Sequence, residues 1–251
     1  MTRLLALFLV LGAGLFAAEN VLIVADEIPA MESLAKTLEG RAKAKCTIVQ
    51  QTEMPSELGK YSAVVVYIHR QIGEPAEKAF IDYARNGGKL ILLHHSIGSP
   101  KRVNRFWLPF LGIALPKGDV KEGGYAYYAP VTMEIVNLAP RHYVTTRNVK
   151  YPKKTAYTST GSGGEKQYPA FELTETEVFI NHVFEGERTI LLGIKVREPK
   201  SGTLYTQDRG GWYKKAEKGS VFYFMPGHTG REFEDPTYSQ ILVNALTFKQ
   251  E

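Results

Sequence analysis

One stretch constrains this chain more than any other: Gly87-Gly88-Lys89-Leu90-Ile91-Leu92-Leu93-His94-His95-Ser96. The glycine pair is suited to end a helix, because glycine enters the left-handed conformation at little cost. Leu90 to Leu93 are apolar without alternation. That is the mark of a strand buried on both faces, inside a parallel sheet covered by helices. His94, His95 and Ser96 then leave the sheet at its carboxyl edge, where open α/β sheets bind their ligands.

The pattern recurs along the chain. Asn20 to Ala25 reads as a first buried strand, with Asp26 and Glu27 at its carboxyl end. Pro29 opens a helix whose apolar positions, Met31, Leu34, Ala35 and Leu38, fall on one face. Cys46 to Gln50 and Ala63 to Ile68 are two more strands, and His69 follows the second at once. Gly73-Glu74-Pro75 starts a helix with proline in its first turn, and Gly87 ends it. Arg102 to Ile113 reads as a helix or turn across the mouth of the sheet. Val131 to Val136 reads as a strand and Glu177 to Ile180 as a short extended piece. Thr189 to Val196 and Ser220 to Phe224 are strands, and Asp235-Pro236 caps and opens a last helix. Strand and helix alternating at this spacing predict an α/β fold with a doubly wound, mostly parallel sheet.

Met1-Thr2-Arg3 and the apolar run Leu4 to Phe16 read as a secretory signal, too short to span a bilayer comfortably. Residues 1–18 are expected to be removed. Residues 19–251 remain as one domain, periplasmic or secreted, with no stable membrane span. Cys46 is the one cysteine, which excludes an internal disulfide and a cysteine-ligated zinc site. The formal charge of +5 is scattered and accompanied by no nucleic-acid motif, so no nucleic-acid partner is expected.

His69, His94 and His228 each stand at or just past the end of a separate hydrophobic strand, and His95 adds a fourth imidazole by adjacency. If those strands are parallel, the four gather along one edge, with Asp26 and Glu27 at the same level. Histidine titrates near neutral pH, so such a cluster suits acid–base catalysis or metal ligation.

Gly87 to His94 resembles the Gly-Gly-x-Leu-Val-x-Leu-His segment of the trehalose-utilisation (ThuA-like) family. His142-Tyr143-Val144-Thr145 is similar to its His-Pro-Ile-Thr segment, with Tyr143 replacing proline. Thr176-Glu177-Val178-Phe179 resembles its Asp-Glu-x-Tyr segment, with Thr176 for the aspartate and Phe179 for the tyrosine. Trp212, Lys218 to Tyr223, Gly227-His228 and Phe233 to Pro236 resemble its carboxyl-terminal signature. The resemblance spans nearly all of the chain from residue 19 onward, in order. It implies a fold of the flavodoxin-like, class I glutamine amidotransferase-like type and a link to sugar metabolism. Where true amidotransferases place a nucleophilic cysteine, this chain has His94-His95-Ser96, which excludes glutamine hydrolysis through a thiolate.

The resemblance, taken with the apolar amino-terminal run, leads to the reading of an exported enzyme acting on a sugar or oxidised-sugar derivative, with a small-molecule carbohydrate as partner and no cofactor expected. His94 or His95 would be the general base, Glu177 would orient or share the proton, and His228 would be a second acid–base group. Asp26, His69, His142, Trp212 and Gly227 would contact substrate, Trp212 by stacking and Gly227 by letting the backbone approach. His94 is favoured over His95, since successive side chains of an extended segment diverge and His94 matches the family's histidine. A second reading is a zinc-type sugar hydrolase or isomerase. Its divalent metal would be held by His94, His142, Glu177 and His228, three nitrogens and one oxygen. A third is a non-catalytic carbohydrate-binding or interaction module on an inherited fold.

Overall fold

The computed structural model describes residues 19–160 and 163–250; the expected signal segment, residues 1–18, lies outside the described residues. In chain order the elements are β1 (Asn20–Ala25), α1 (Ile28–Ala42), β2 (Lys45–Val49), β3 (Ala63–Tyr67), α2 (Glu74–Arg85) and β4 (Lys89–Leu93). They continue with α3 (Trp107–Leu111), β5 (Ile113–Ala114), β6 (Ala126–Asn137), α4 (Tyr143–Thr146), β7 (Lys153–Tyr157) and β8 (Lys166–Ile180). Last come β9 (Val183–Phe184), β10 (Thr189–Arg197), β11 (Leu204–Ala216), β12 (Gly219–Phe224) and α5 (Pro236–Thr247).

Ten strands form one sheet in the order β2-β1-β3-β4-β12-β11-β10-β6-β8-β7. From β2 to β12 every neighbour is parallel. The chain steps from β1 to β2 in one direction and from β3 to β4 in the other. Right-handed crossovers therefore put α1 and α2 on opposite faces, and the doubly wound arrangement follows. Its switch point lies between β1 and β3, beside β4, where ligand crevices form.

The glycine pair ends α2 as its chemistry dictates. Gly87 takes φ +108°. The Gly88 amide donates to the Tyr83 carbonyl at 2.8 Å and the Gly87 amide to Ala84 at 3.3 Å, the paired bonds of a Schellman motif. Leu90 to Leu93 are then buried on both faces, at 3% exposure or less.

The other half of the sheet is antiparallel, from β12 through β11, β10, β6 and β8 to β7. The stretch Val131 to Val136 lies within the twelve-residue β6 and Glu177 to Ile180 closes the fifteen-residue β8. Both strands extend into polar sequence because their outer portions keep one face in water, where polar residues cost nothing. Among the described residues no helix is long and apolar enough to cross a membrane.

Lys89, at the start of β4, donates its ammonium to the carbonyls of Leu246 and Phe248 and so ties the last helix to the sheet. Burial pushes its pKa down to about 8 from the usual 10.5. Between those values the unfolded chain still holds a proton that the folded chain has released. Stability from this residue therefore rises with pH across that window. Melting temperatures measured from pH 8 to 10 are expected to climb relative to those of Lys89→Met, in which this slope is absent.

Candidate functional site

The β4 strand ends in a tight turn, His94–Ile97, rather than continuing extended. His94 adopts φ +39°, a conformation uncommon outside glycine, and such strain concentrates at functional positions. The turn overturns the expectation that His94 and His95 diverge: their rings lie 4.3 Å apart at 69°, and both face Glu177. Alternation holds only for extended backbone, and here the backbone is wound.

His94 is fully buried. Its Nδ1 stands 2.5 Å from the Met225 carbonyl, which can only accept, so Nδ1 carries a proton. The remaining nitrogen, Nε2, lies 3.3 Å from Glu177 Oε1 yet makes no hydrogen bond, and His228 Nδ1 is likewise buried and unpartnered. His95 Nδ1 lies 3.8 Å from the same carboxylate oxygen. Burial, reinforced by His94, His69, His228 and Lys101, pushes the His95 imidazole far below its ordinary value, so it stays neutral. Burial and His94 also lower His228. Phe179 stacks on His94 at 4.7 Å and supplies an apolar wall.

Glu177 reaches this position through a bulge. Between Met133–Leu173 and Val131–Thr176, β8 spends three steps against two on β6, and Glu175 takes φ +52°. The extra residue breaks the alternation, so that Thr176 and Glu177 are both buried. Thr176 then donates its hydroxyl to Glu232, whose carboxylate also accepts from the amides of Gly227 and Thr229.

His94, His95, Glu177 and His228 each offer one ligand atom, all within 4.8 Å of one another. Ligands at zinc–nitrogen distances of roughly 2.0–2.1 Å in a tetrahedron lie about 3.4 Å apart, so rotamer adjustments of an ångström or so close the set. The donor types fit: three imidazoles, two of them with an unpartnered nitrogen, and one carboxylate. A second trio, Glu27, His69 and His95, is also close. Its two imidazoles stack at 4.0 Å with planes 8° apart, so their in-plane lone pairs do not converge on one ion. His69 Nδ1 instead meets Glu27 Oε1 at 3.1 Å at the exposed rim of the cluster.

The remaining expected site residues sit differently. Asp26 uses both carboxylate oxygens on the backbone amides of His69 and Arg70, and so shapes the loop after β3. His142 is not near the cluster, which corrects its place in the expected metal set; His95 fills that place. Its Nδ1 accepts from the Val144 amide as the cap of α4, and its ring stacks on Phe248. Phe248 binds Lys89 at the start of β4, whereas His94 follows its end, a strand length away. Trp212 is fully buried beneath the Arg188 guanidinium and offers no face to a sugar. Gly227 faces protein: it holds φ +123°, and a Cβ there would stand 2.8 Å from Phe233. Gly227→Ala is expected to cost about 1–3 kcal/mol, read as a lower denaturation midpoint. Sequence reasoning missed Glu232, although Thr229-Gly230-Arg231-Glu232 has the spacing of a capping box, and the box forms. It also missed Lys101, fully buried, whose ammonium holds the carbonyls of Ile68 and His69.

The structure resembles a putative ThuA-like protein of Bacteroides uniformis with TM-score 0.59 and 17% identity, covering 90% of this chain and 89% of that one. A cytoplasmic protein of Salmonella typhimurium gives TM-score 0.58 and 14% identity over 92% of this chain and 100% of that one. A β-galactosidase of Rahnella gives TM-score 0.56 and 10% identity over 93% of this chain but 32% of its own. At these identities the likeness is one of fold. No curated protein matches the sequence. The family model described as trehalose utilisation matches residues 15–249, almost the whole length, and the chain belongs to the ThuA family.

Proposed function

We propose that this protein is a metal-dependent enzyme acting on a sugar or oxidised-sugar derivative. The reading rests on one observation above others: four donors converge, and two of their imidazole nitrogens are buried without a partner. Unpartnered buried polar atoms are costly and rare, and an ion removes the cost. His94, His95, Glu177 and His228 would hold a divalent cation, which would supply Lewis-acid polarisation of a substrate oxygen. The Met225 carbonyl holds His94 in the tautomer that presents Nε2, as an outer partner does for a ligating histidine. Phe179 excludes water from one side. His69 and Glu27, exposed at the rim, would meet sugar hydroxyls. The family description supports the sugar class. One structural relative is a β-galactosidase, though at 10% identity it speaks only to fold.

A second reading follows from the same 3.3 Å contact between His94 and Glu177. A single proton shared there would relieve the opposed lone pairs, and catalysis would be acid–base without metal. Incubation with a panel of disaccharides and their oxidised forms, with and without chelator, separates the two. Products followed by mass spectrometry should vanish with chelator and return with added zinc or manganese. Chelator-resistant turnover would favour the metal-free reading, and no product under any condition would favour a binding module. Export and a carbohydrate partner complete the proposal. Amino-terminal sequencing of protein from the native host tests export, and an intact Met1 would defeat it.

A further inference from the structure

Among the described residues, six of the eight buried side-chain polar atoms without partners lie outside the histidine–carboxylate cluster, and five of those six belong to three neighbouring residues around β9. They are both ring nitrogens of His182, Nε and Nη1 of Arg188, and Nε1 of Trp212. Phe184 is the hub: His182 meets its ring edge-on at 5.3 Å, Trp212 does so at 6.2 Å, and the Arg188 guanidinium lies 4.2 Å above it. Arg209 joins from β11, donating Nε to the His182 carbonyl at 2.5 Å.

The charges that act on His182, Arg209 and Arg188, are both positive. Arg188, Arg209 and Lys214 appear in none of the ion pairs among the described residues. Asp208, which acts on Arg209, is engaged by the hydroxyls of Tyr157 and Ser159 and by the Thr160 amide. Arg188 spends Nη2 on the carbonyls of Leu111, Gly112 and Glu185, which compensates hydrogen bonds but not charge. Its remaining donors lie against the Phe184 and Trp212 faces, a contact that offsets only part of the cost of burial. His182 has no such substitute: it is fully buried, and neither nitrogen has a hydrogen-bond partner. Burial and the two arginines push it down to about 3, so as it stands it is a neutral ring in a positive field.

We propose that His182, Arg188 and the Trp212 indole N–H bind a small anion, of chloride to carboxylate size, at the junction of β9 and β11. The site is donor-rich, short of acceptors and short of negative charge, the composition that selects an anion over a water molecule. It is separate from the proposed metal centre and does not depend on it.

Trp212 makes the site readable. Crystals grown in bromide should show an anomalous bromine peak against His182 and Arg188. In solution, bromide, chloride or acetate should change the tryptophan fluorescence saturably. The melting temperature should rise by roughly 5–10 °C at a hundred times the dissociation constant. Gluconate at matched ionic strength, a much larger anion, should do neither. His182→Phe removes two of the five unpartnered nitrogens. It should lose the anion response and melt no lower than the parent protein in gluconate. No bromine peak at the cluster, or equal responses to bromide and gluconate, would overturn the proposal and leave water and aromatic faces as the only partners. The bromide experiment on the unaltered protein stands even if His182→Phe fails to fold.

Discussion

His94→Asn is expected to abolish binding of a divalent metal at the proposed centre. Asparagine tolerates the left-handed backbone that His94 adopts at φ +39°, so the turn should survive. What goes is Nε2, which faces Glu177 at 3.3 Å, together with the Nδ1 contact to Met225. Loss of a group that merely orients a ligand weakens metal binding roughly 10–100-fold, and loss of the ligand itself should do at least that. Metal content after dialysis, read by mass spectrometry beside circular dichroism of the fold, measures it. Turnover, once a substrate is known, should fall about 10²–10⁴-fold. His95→Asn should behave similarly, because both imidazoles face the same carboxylate oxygen. Full metal occupancy in His94→Asn with an intact fold would refute the assigned centre.

The largest loss of stability is expected from Glu232→Ala. This carboxylate is 3% exposed and accepts from Gly227 N at 2.7 Å, Thr176 Oγ1 at 2.9 Å and Thr229 N at 3.2 Å. It fastens the segment carrying His228 to the strand carrying Glu177. Alanine leaves three donors unpaired, two of them buried, for a cost of about 3–5 kcal/mol. That corresponds to a melting temperature lower by roughly 10 °C. Glu232→Gln keeps one acceptor and should lose less. A loss below about 1 kcal/mol for the alanine variant would show that other contacts hold the segment.

Much of the parallel half was legible because each of its signals is local. An unalternating apolar run needs burial on both faces, and Gly87-Gly88 needs only its own backbone freedom to stop α2. The antiparallel half was less so: β11 pairs with β10 and β12 through contacts that no short window contains. Its residues Leu204 to Ala216 alternate weakly and include Gly210 and Gly211. His142 and Trp212 show the same limit for the site. A histidine that caps a short helix and one that faces a ligand have the same sequence appearance, and so do a stacked tryptophan and a packed one.

By itself the sequence determined which strands would be buried on both faces, hence a parallel core, and which imidazoles would stand at its carboxyl edge. Those outcomes depend on side-chain polarity and on a periodicity set within a few residues. Tertiary structure decided the rest. The wound turn after Leu93 brings His94 and His95 together instead of apart. The bulge at Glu175 turns Glu177 inward to meet them. Both depend on where a neighbouring strand and the Met225–Thr229 segment lie, and distance along the chain carries no information about that.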